Sequence, residues 1–297
     1  MADETRVLPG SAVSIVWNWR LGSVSTAPSD PPTRVAITRP DGTALPGAPA
    51  TAPSTANVAA PGEVAFVLPA QAEVTLLKVV WTATVGGTLR NVTSWVEVVG
   101  EHLFDLADLR TFEWGGFTQG AAPLADTVKY PDAKLAQVRD QIADEIEEFT
   151  GAAPMERYTR ATLYPSAGSR RLLLDKYLPR RVLSLTNGTA VWAPNLLAEL
   201  ALGITVIEQP YRAFSTPVAL EYVRGLERTP ATISEAGKKI AIMKLRPSQV
   251  PPRALSITDE RGTMQLSVAN WDKRRYYGVP EIDTALLTID ETIMQSV

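Results

Sequence analysis

The first hundred residues follow a two-residue period of apolar and polar positions. In residues 13–19, the odd positions are all apolar or aromatic, as in a strand with one buried face. Gly86 and Gly87 separate two further runs of this kind and predict a two-residue hairpin turn. The remaining strands are predicted at residues 34–38, 63–68, 76–85 and 88–98. Residues 45–61 are rich in Ala, Pro, Thr and Ser and are predicted to form an irregular loop.

Short strands with large aromatic side chains predict a small β-sandwich over residues 1–100. We expect Trp17, Trp81 and Trp95, or their neighbours, to point into its core. The architecture is expected to be immunoglobulin-like, although a core disulfide is impossible because the chain has no cysteine. The pattern changes near Gly100, where a second domain, residues 101–297, is predicted to begin. The predicted fold class is therefore α+β.

Three amphipathic helices are predicted in the second domain, at about residues 126–150, 230–246 and 281–293. Gly151 suits the position after the first helix, where a positive φ is needed. Thr229 is predicted to cap the second helix, and Pro230 and Pro280 to occupy the first helical positions of the second and third. The buried stripe of the first helix consists of Leu135, Val138, Ile142, Ile146 and Phe149.

Two further segments separate these helices. Short alternating runs predict a β-rich insertion over about residues 156–223, between the first and second helices. Residues 247–278, between the second and third, are predicted to be a long extended arm. The arm has few apolar residues of its own, and long segments of this kind usually bind something. Four of them alternate in pairs, as in a strand that adds to a partner: Leu255, Ile257, Leu266 and Val268.

Composition excludes several classes of function. The chain has 297 residues, of which 45% are hydrophobic, so it can form a real core. A net charge of -3 gives no overall reason to bind nucleic acid. With no cysteine and a single histidine, His102, neither a thiolate nor a histidine-rich metal site is possible. No signal peptide or membrane span is evident, so we expect folding in a cytoplasm, with no metal and no cofactor.

Candidate chemistry is limited to charged groups. Lys273, Arg274 and Arg275 precede two tyrosines and could contact a partner or DNA phosphate, or could simply keep a loop soluble. Arg261 is a further candidate contact of this type. The acidic run 144–148 is interpreted as a solvated helix face, and so is the pair Lys238 and Lys239. His102 is interpreted as a packing or surface residue, because no partner that could orient a catalytic base is identifiable.

Three passages in order resemble the head-to-tail adaptor (connector) proteins of long-tailed bacteriophages. The first is the acidic helix 143–151, followed at once by the basic strand 157–162. The second is the strand 220–226, then Pro230 and a helix that ends at residues 244–248. The third runs from 252–256 through 259–263 to Gly278-Val279-Pro280-Glu281-Ile282-Asp283, which is similar to the family's ending. The resemblance covers roughly residues 103–293, and the first hundred residues are an addition to it.

The resemblance implies a closed ring in the neck of the virion. Adaptors of this family form a twelve-fold collar below the portal protein, extend the DNA channel, and contact the stopper and tail proteins. The arm would reach neighbouring subunits or the portal, and non-specific contact with genomic DNA is possible in the channel. We expect the β-domain to decorate the outside of the collar. A chain that lacks residues 1–99 is then expected to form rings still.

Two other functions are weighed against this one. The tryptophans of the β-domain raise the hypothesis of a host-surface or carbohydrate-binding protein, because exposed tryptophans stack on sugars, although strand tryptophans are more often part of a core. Loss of adsorption after deletion of residues 1–99 would favour that hypothesis. An enzyme is the least favoured, because no catalytic motif is present. The sequence therefore predicts a virion structural protein with no catalytic residues.

Overall fold

The computed structural model describes the chain at residues 4–10, 12–40, 42–45, 62–114, 124–166, 168–203, 205–209, 212–214, 216–245, 256–259, 262–265, 277 and 279–295. Strands and helices are mixed along the chain, so the fold class is α+β, as predicted. The loop predicted at 45–61 lies outside the described residues except for Leu45, which is buried.

The described part of the first hundred residues forms eight strands. They are β1 (Glu4–Val7), β2 (Val13–Asn18), β3 (Arg20–Leu21), β4 (Val24–Ser25), β5 (Ser29–Thr38), β6 (Glu63–Leu68), β7 (Thr75–Val85) and β8 (Thr88–Val98). One sheet has the order β1-β8-β7-β5, and β2 pairs with β6 in another. The β1–β8 pair is parallel, whereas the other pairs are antiparallel. Side chains from both sheets share one apolar core, and whether this unit is immunoglobulin-like stays a prediction.

Gly86 and Gly87 form the predicted turn between β7 and β8, both with positive φ, which suits a tight hairpin.

The tryptophans of the β-sandwich differ from one another in how deeply they are buried. Trp81 and Trp19 are almost fully buried, Trp17 packs against Trp81, and Trp95 is only half-buried. Trp95 lies in register with Lys78 and the β1 residue Glu4, away from the core-facing positions of β8. Trp95 itself does not point inward, and the alternative that the prediction left open applies here, because its neighbours Ser94 and Val96 take that role.

The remainder of the chain contains five helices and nine further strands among its described residues. The helices are α1 (Leu106–Thr111), α2 (Asp132–Thr150), α3 (Pro194–Ala198), α4 (Ala231–Leu245) and α5 (Pro280–Gln295). The strands are β9 (Arg157–Leu163), β10 (Arg171–Leu173), β11 (Pro179–Asn187), β12 (Ala190–Val191), β13 (Ala201–Leu202), β14 (Val206–Glu208), β15 (Val218–Arg224), β16 (Ser256–Asp259) and β17 (Gly262–Gln265). One sheet has the order β12-β11-β15-β9, and another the order β10-β14-β13.

Helices α2, α4 and α5 pack around a single apolar core that also includes Leu103, Phe104 and Leu109. A separate core lies within the β-rich region between α2 and α4. The part of the predicted arm that is described forms a short antiparallel hairpin of β16 and β17. This segment was predicted to be extended, and the hairpin departs from that prediction.

Prolines account for the differences at the helix starts. Helix α2 begins at Asp132 rather than near residue 126, because Pro131 keeps an extended backbone at the N-cap and disfavours a helical residue before it. The Asp126 carboxylate instead accepts hydrogen bonds from the backbone N–H groups of Val128 and Lys129. Helix α4 begins at Ala231, so Pro230 precedes it. The Thr229 hydroxyl donates to the carbonyl of Pro154 rather than capping the helix, which corrects the cap prediction.

Gly151 ends α2 with φ 74°, and it is expected to resist substitution. A Cβ there would lie 2.1 Å from the ring of Tyr177. We expect Gly151→Ala to cost more than the roughly 1–2 kcal/mol of the left-handed conformation alone, measured as the free energy of unfolding in urea. Gly168 also has a positive φ but open space around its Cα. Gly168→Ala should therefore cost only the conformational part, and equal losses would contradict a steric role for Tyr177.

Candidate functional site

The acidic face of α2 is the centre of the most highly charged buried region of the described residues. Asp140, Asp144 and Glu147 are spaced by four and three residues, so they lie on one side of the helix. Glu147 is only 5% exposed. The interpretation of this run as a solvated face was wrong, because three strands, β1, β9 and β15, bring arginines against it. Only Glu148 of the run is exposed without a bonded partner among the described residues.

Arg157 of β9 binds three carboxylates at once. Its guanidinium donates two hydrogen bonds to Glu97 of β8, at 2.8 and 2.7 Å. It also binds Asp144 and Glu147 of α2, both at 2.7 Å. Paired guanidinium–carboxylate bonds of this kind are the strong form of ion pair. One side chain therefore joins the sandwich, α2 and the β-rich region.

The rest of the cluster follows from strand register. Arg6 lies opposite Glu97 in the parallel β1–β8 pair and binds it at 2.9 Å. Arg6 also donates to Asp144 and to the backbone carbonyl of Asp140. Arg224 lies opposite Arg157 in the β9–β15 pair and binds Glu147 at 2.7 Å. Charged residues at paired positions of neighbouring strands thus lie against the same helix.

The cluster is ionised at neutral pH. Burial would raise the pKa of Glu147, but the charges of Arg224 and Arg157 lower it to about 2. Burial also opposes ionisation of Glu97, yet Arg157 and Arg6 lower its pKa below the usual range. These groups therefore exchange no protons near pH 7 and are unsuited to acid–base chemistry there. Within the described residues, no group of His, Asp and Glu side chains is arranged to hold a metal ion.

A second charged contact on α2 joins the two ends of the predicted arm. Glu145 accepts a hydrogen bond from Lys244, in the last turn of α4, and from the hydroxyl of Tyr277 at 2.8 Å. The Tyr277 backbone N–H donates to buried Asp283 of α5, at 2.8 Å. The Tyr277 ring meets the ring of Phe149 edge-on. Phe149, predicted as part of the buried stripe, is 40% exposed, so that part of the prediction was wrong. Lys244 and Tyr277, at the two ends of the segment between α4 and α5, therefore both bind the same glutamate. We call this contact the Glu145 clamp.

Removing the Glu145 clamp should be measurable as a loss of stability. We expect Glu145→Ala to lower the free energy of unfolding in urea by roughly 1–2 kcal/mol, because a half-buried ion pair and a tyrosine hydrogen bond are lost together. Glu148 lies on the same helix but is exposed, so Glu148→Ala is the matched control and should change stability by less than about 0.5 kcal/mol. An equal effect of the two substitutions would contradict the clamp.

Other predicted residues are placed as follows. Lys238 and Lys239 are mostly covered, and they bind Asp108 of α1 and Glu281 of α5; the interpretation as a solvated face was wrong here too. His102 is half-buried, and burial together with Arg139 lowers its pKa to about 4. The candidate contacts Lys273, Arg274, Arg275 and Arg261 lie outside the described residues.

Comparisons with known proteins find weak likenesses to solved structures. No protein-family model and no curated protein matches the chain. A chain in the neck of a native gene transfer agent particle, computed with C12 symmetry, matches with 17% identity and a TM-score of 0.34 over 43% of this chain and 80% of that one. A chain in the neck of an empty particle, computed with C6 symmetry, matches with 18% identity and a TM-score of 0.35 over 49% and 77%. Both TM-scores are too low to assign a fold or a function.

No helix among the described residues is long and apolar enough to span a membrane.

Proposed function

We propose that this chain is a structural protein of a phage neck, with no catalytic role. In this proposal it forms an adaptor ring between the portal and the stopper and tail proteins, twelve-fold as the resemblance implies. The ring would surround the DNA channel. The observation that carries the proposal is the ordered set of three sequence passages, whose helices α2, α4 and α5 form one common core.

The segment between α4 and α5 supports the proposal by its attachment. It departs from Lys244 and returns at Tyr277, and both residues bind Glu145. Helices α4 and α5 pack directly on each other and on α2, and Tyr277 packs against their common core. We propose that the long segment between these two attachment points contacts other subunits, as expected of an adaptor arm.

The β-sandwich is proposed to decorate the outer surface of the ring. The charge cluster binds it to α2 through Arg6 and Glu97. Because both residues are buried, the sandwich is held at a fixed place on the helical core rather than on a loose linker. A fixed attachment suits a domain that repeats around a symmetric collar.

The test is a cryo-EM reconstruction of the neck of virions that contain this chain, without the capsid's symmetry imposed. We expect a closed ring directly below the portal into which the α2–α4–α5 core fits, with residues 246–278 in contact with a neighbour. Light scattering on the purified chain gives a second measurement, because a ring-former should appear as a large closed oligomer. A chain that stays monomeric and is missing from the neck, or that lies at the tail tip or capsid surface, would contradict the proposal.

A further inference from the structure

A groove of about 460 Å³ opens between the two sheets of the β-sandwich. One wall consists of residues 16–20, in β2 and just beyond it, and the other of Arg90 and Val92 in β8. Strand β1 pairs with β8 only at residues 95–98, so this stretch of β8 has no strand on its outer side among the described residues. The groove thus lies at an open edge between the two sheets of the sandwich. Its volume is in the range of small-molecule sites, about 300–1,000 Å³.

Arg90 stands at a position where the strand pattern calls for an apolar residue. It lies opposite buried Ala83 in the β7–β8 register, two residues before Val92, which packs on the core. Its side chain therefore shares the core-facing side of the sheet at the groove. The half-buried guanidinium has no hydrogen bond or ion pair with any described residue. The charge of Arg90 therefore has no counter-ion among the described residues.

One indole N–H next to the groove also lacks a partner among the described residues. Three tryptophans pack together here, and two of their indole N–H groups are satisfied: Trp19 donates to Thr33 at 3.1 Å and Trp81 to Ser94 at 2.9 Å. The indole N–H of Trp17 is buried and has no acceptor among the described residues. Arg20 adds a second positive charge at the rim, and no aspartate or glutamate is among the described residues that line the groove.

We propose that this groove binds the carboxylate of an acidic saccharide, a uronate unit of a polysaccharide chain. The guanidinium of Arg90 matches a planar carboxylate in a two-point bond, and Arg20 adds to the attraction. The wall of Trp17, Val16 and Val92 offers an apolar and aromatic surface to the C–H face of a sugar ring. Asn18 supplies an amide for ring hydroxyls. This site is independent of the proposed role in the neck.

The experiment titrates the full-length chain with glucuronate and follows the tryptophan indole signals by ¹H–¹⁵N NMR. The Trp17 signal is assigned from its loss in Trp17→Phe. We expect a saturable shift of that signal with glucuronate and none with glucose at the same concentrations. Arg90→Gln should weaken glucuronate binding about tenfold or more, as expected for loss of a charged hydrogen bond. The control Arg34→Gln changes an exposed arginine of the same unit and should leave binding unaltered.

Three outcomes would overturn the inference: no saturable shift with glucuronate, equal binding of glucose, or tighter binding of a glutamate-rich peptide than of a uronate oligomer. Retained affinity in Arg90→Gln would also overturn it, provided the variant's spectrum shows a folded sandwich. None of these results bears on ring formation, which cryo-EM and light scattering measure separately. The neck proposal and the saccharide site can therefore fail independently.

Discussion

Replacing Arg157 with methionine is expected to lower the free energy of unfolding by about 3–5 kcal/mol, the usual cost of removing one member of a buried ion cluster. Methionine keeps much of the side-chain volume but none of the four hydrogen bonds to Glu97, Asp144 and Glu147. The two buried glutamates then retain only their bonds to Arg6, Arg224 and Lys176. Urea unfolding at pH 7, followed by circular dichroism and tryptophan fluorescence, measures the loss.

Arg171→Met is the matched control for this variant. Arg171 also binds a glutamate, Glu208, at 2.6 Å, but both side chains are largely exposed. An exposed pair contributes about 0–1 kcal/mol, so the control should be nearly as stable as the unmodified chain. If the two arginines cost the same, burial does not set the strength of the cluster. A second check adds Glu97→Gln to Arg157→Met, which should cost less than the sum of the two single changes because one unpaired charge disappears.

The charge cluster also affects how the result of deleting the β-domain has to be interpreted. Removing residues 1–99 takes away Arg6 and Glu97 as well as the sandwich, and it leaves Arg157 with two of its three acidic partners. It also removes Val99, which belongs to the core around α2. A truncated chain that fails to form rings could therefore have failed to fold. The free energy of unfolding of the truncated chain has to be measured before ring formation is assessed.

Much of the β-sandwich follows from the sequence because its strands are each buried on one face. The predicted strands at 63–68 and 88–98 agree with β6 and β8 at both ends, and Gly86 and Gly87 form the predicted turn. Short strands were harder to predict from the sequence. Strands β12 and β13 have two residues each, too few for any period to be visible in the sequence.

The charge cluster was not predictable from the periodicity of α2. A helical pattern separates the apolar stripe from the polar side, but it does not reveal what else packs on that polar side. The partners come from far along the chain: Glu97 and Arg157 are 60 residues apart, and Arg6 and Asp144 are 138 apart. One local signal does exist. Glu97 is buried, but a glutamate between two valines is also the normal alternation of a strand with one solvated face, so the signal lies only in the valine that follows, Val99.

The base of the arm shows the same limit. Residues 143–151 and the Gly278–Asp283 passage each carry part of the family resemblance, yet neither indicates that Glu145 and Tyr277 meet. Tyr277 was grouped with the basic residues before it as a candidate for phosphate or partner contact. In the structure its hydroxyl donates to Glu145, so this tyrosine secures the end of the segment. Its role depends on the way α2 and α5 pack, which their separate sequence patterns do not determine.

Acidification is expected to weaken the fold through Glu147. The folded-state pKa of this carboxyl is about 2 against an ordinary 4.5. A depressed pKa means that the stabilisation is fully present above pH 4.5 and is lost as the pH falls towards 2. At roughly 1.4 kcal/mol per pKa unit, the contribution is on the order of 3 kcal/mol. Glu97, whose pKa is also lowered, adds a loss of the same sign.

The measurement compares the unmodified chain with Glu147→Gln by urea unfolding at pH 7, 5, 4 and 3. The difference in unfolding free energy should be constant from pH 7 to 5 and should shrink below pH 4.5, because a protonated Glu147 resembles glutamine. His102, with a pKa of about 4 in the folded chain, titrates in both proteins and cancels from this difference. Glu148→Gln, at an exposed position of the same helix, should follow the unmodified chain at every pH. A difference that stays unchanged down to pH 3 would mean that Glu147 is not held ionised by Arg157 and Arg224.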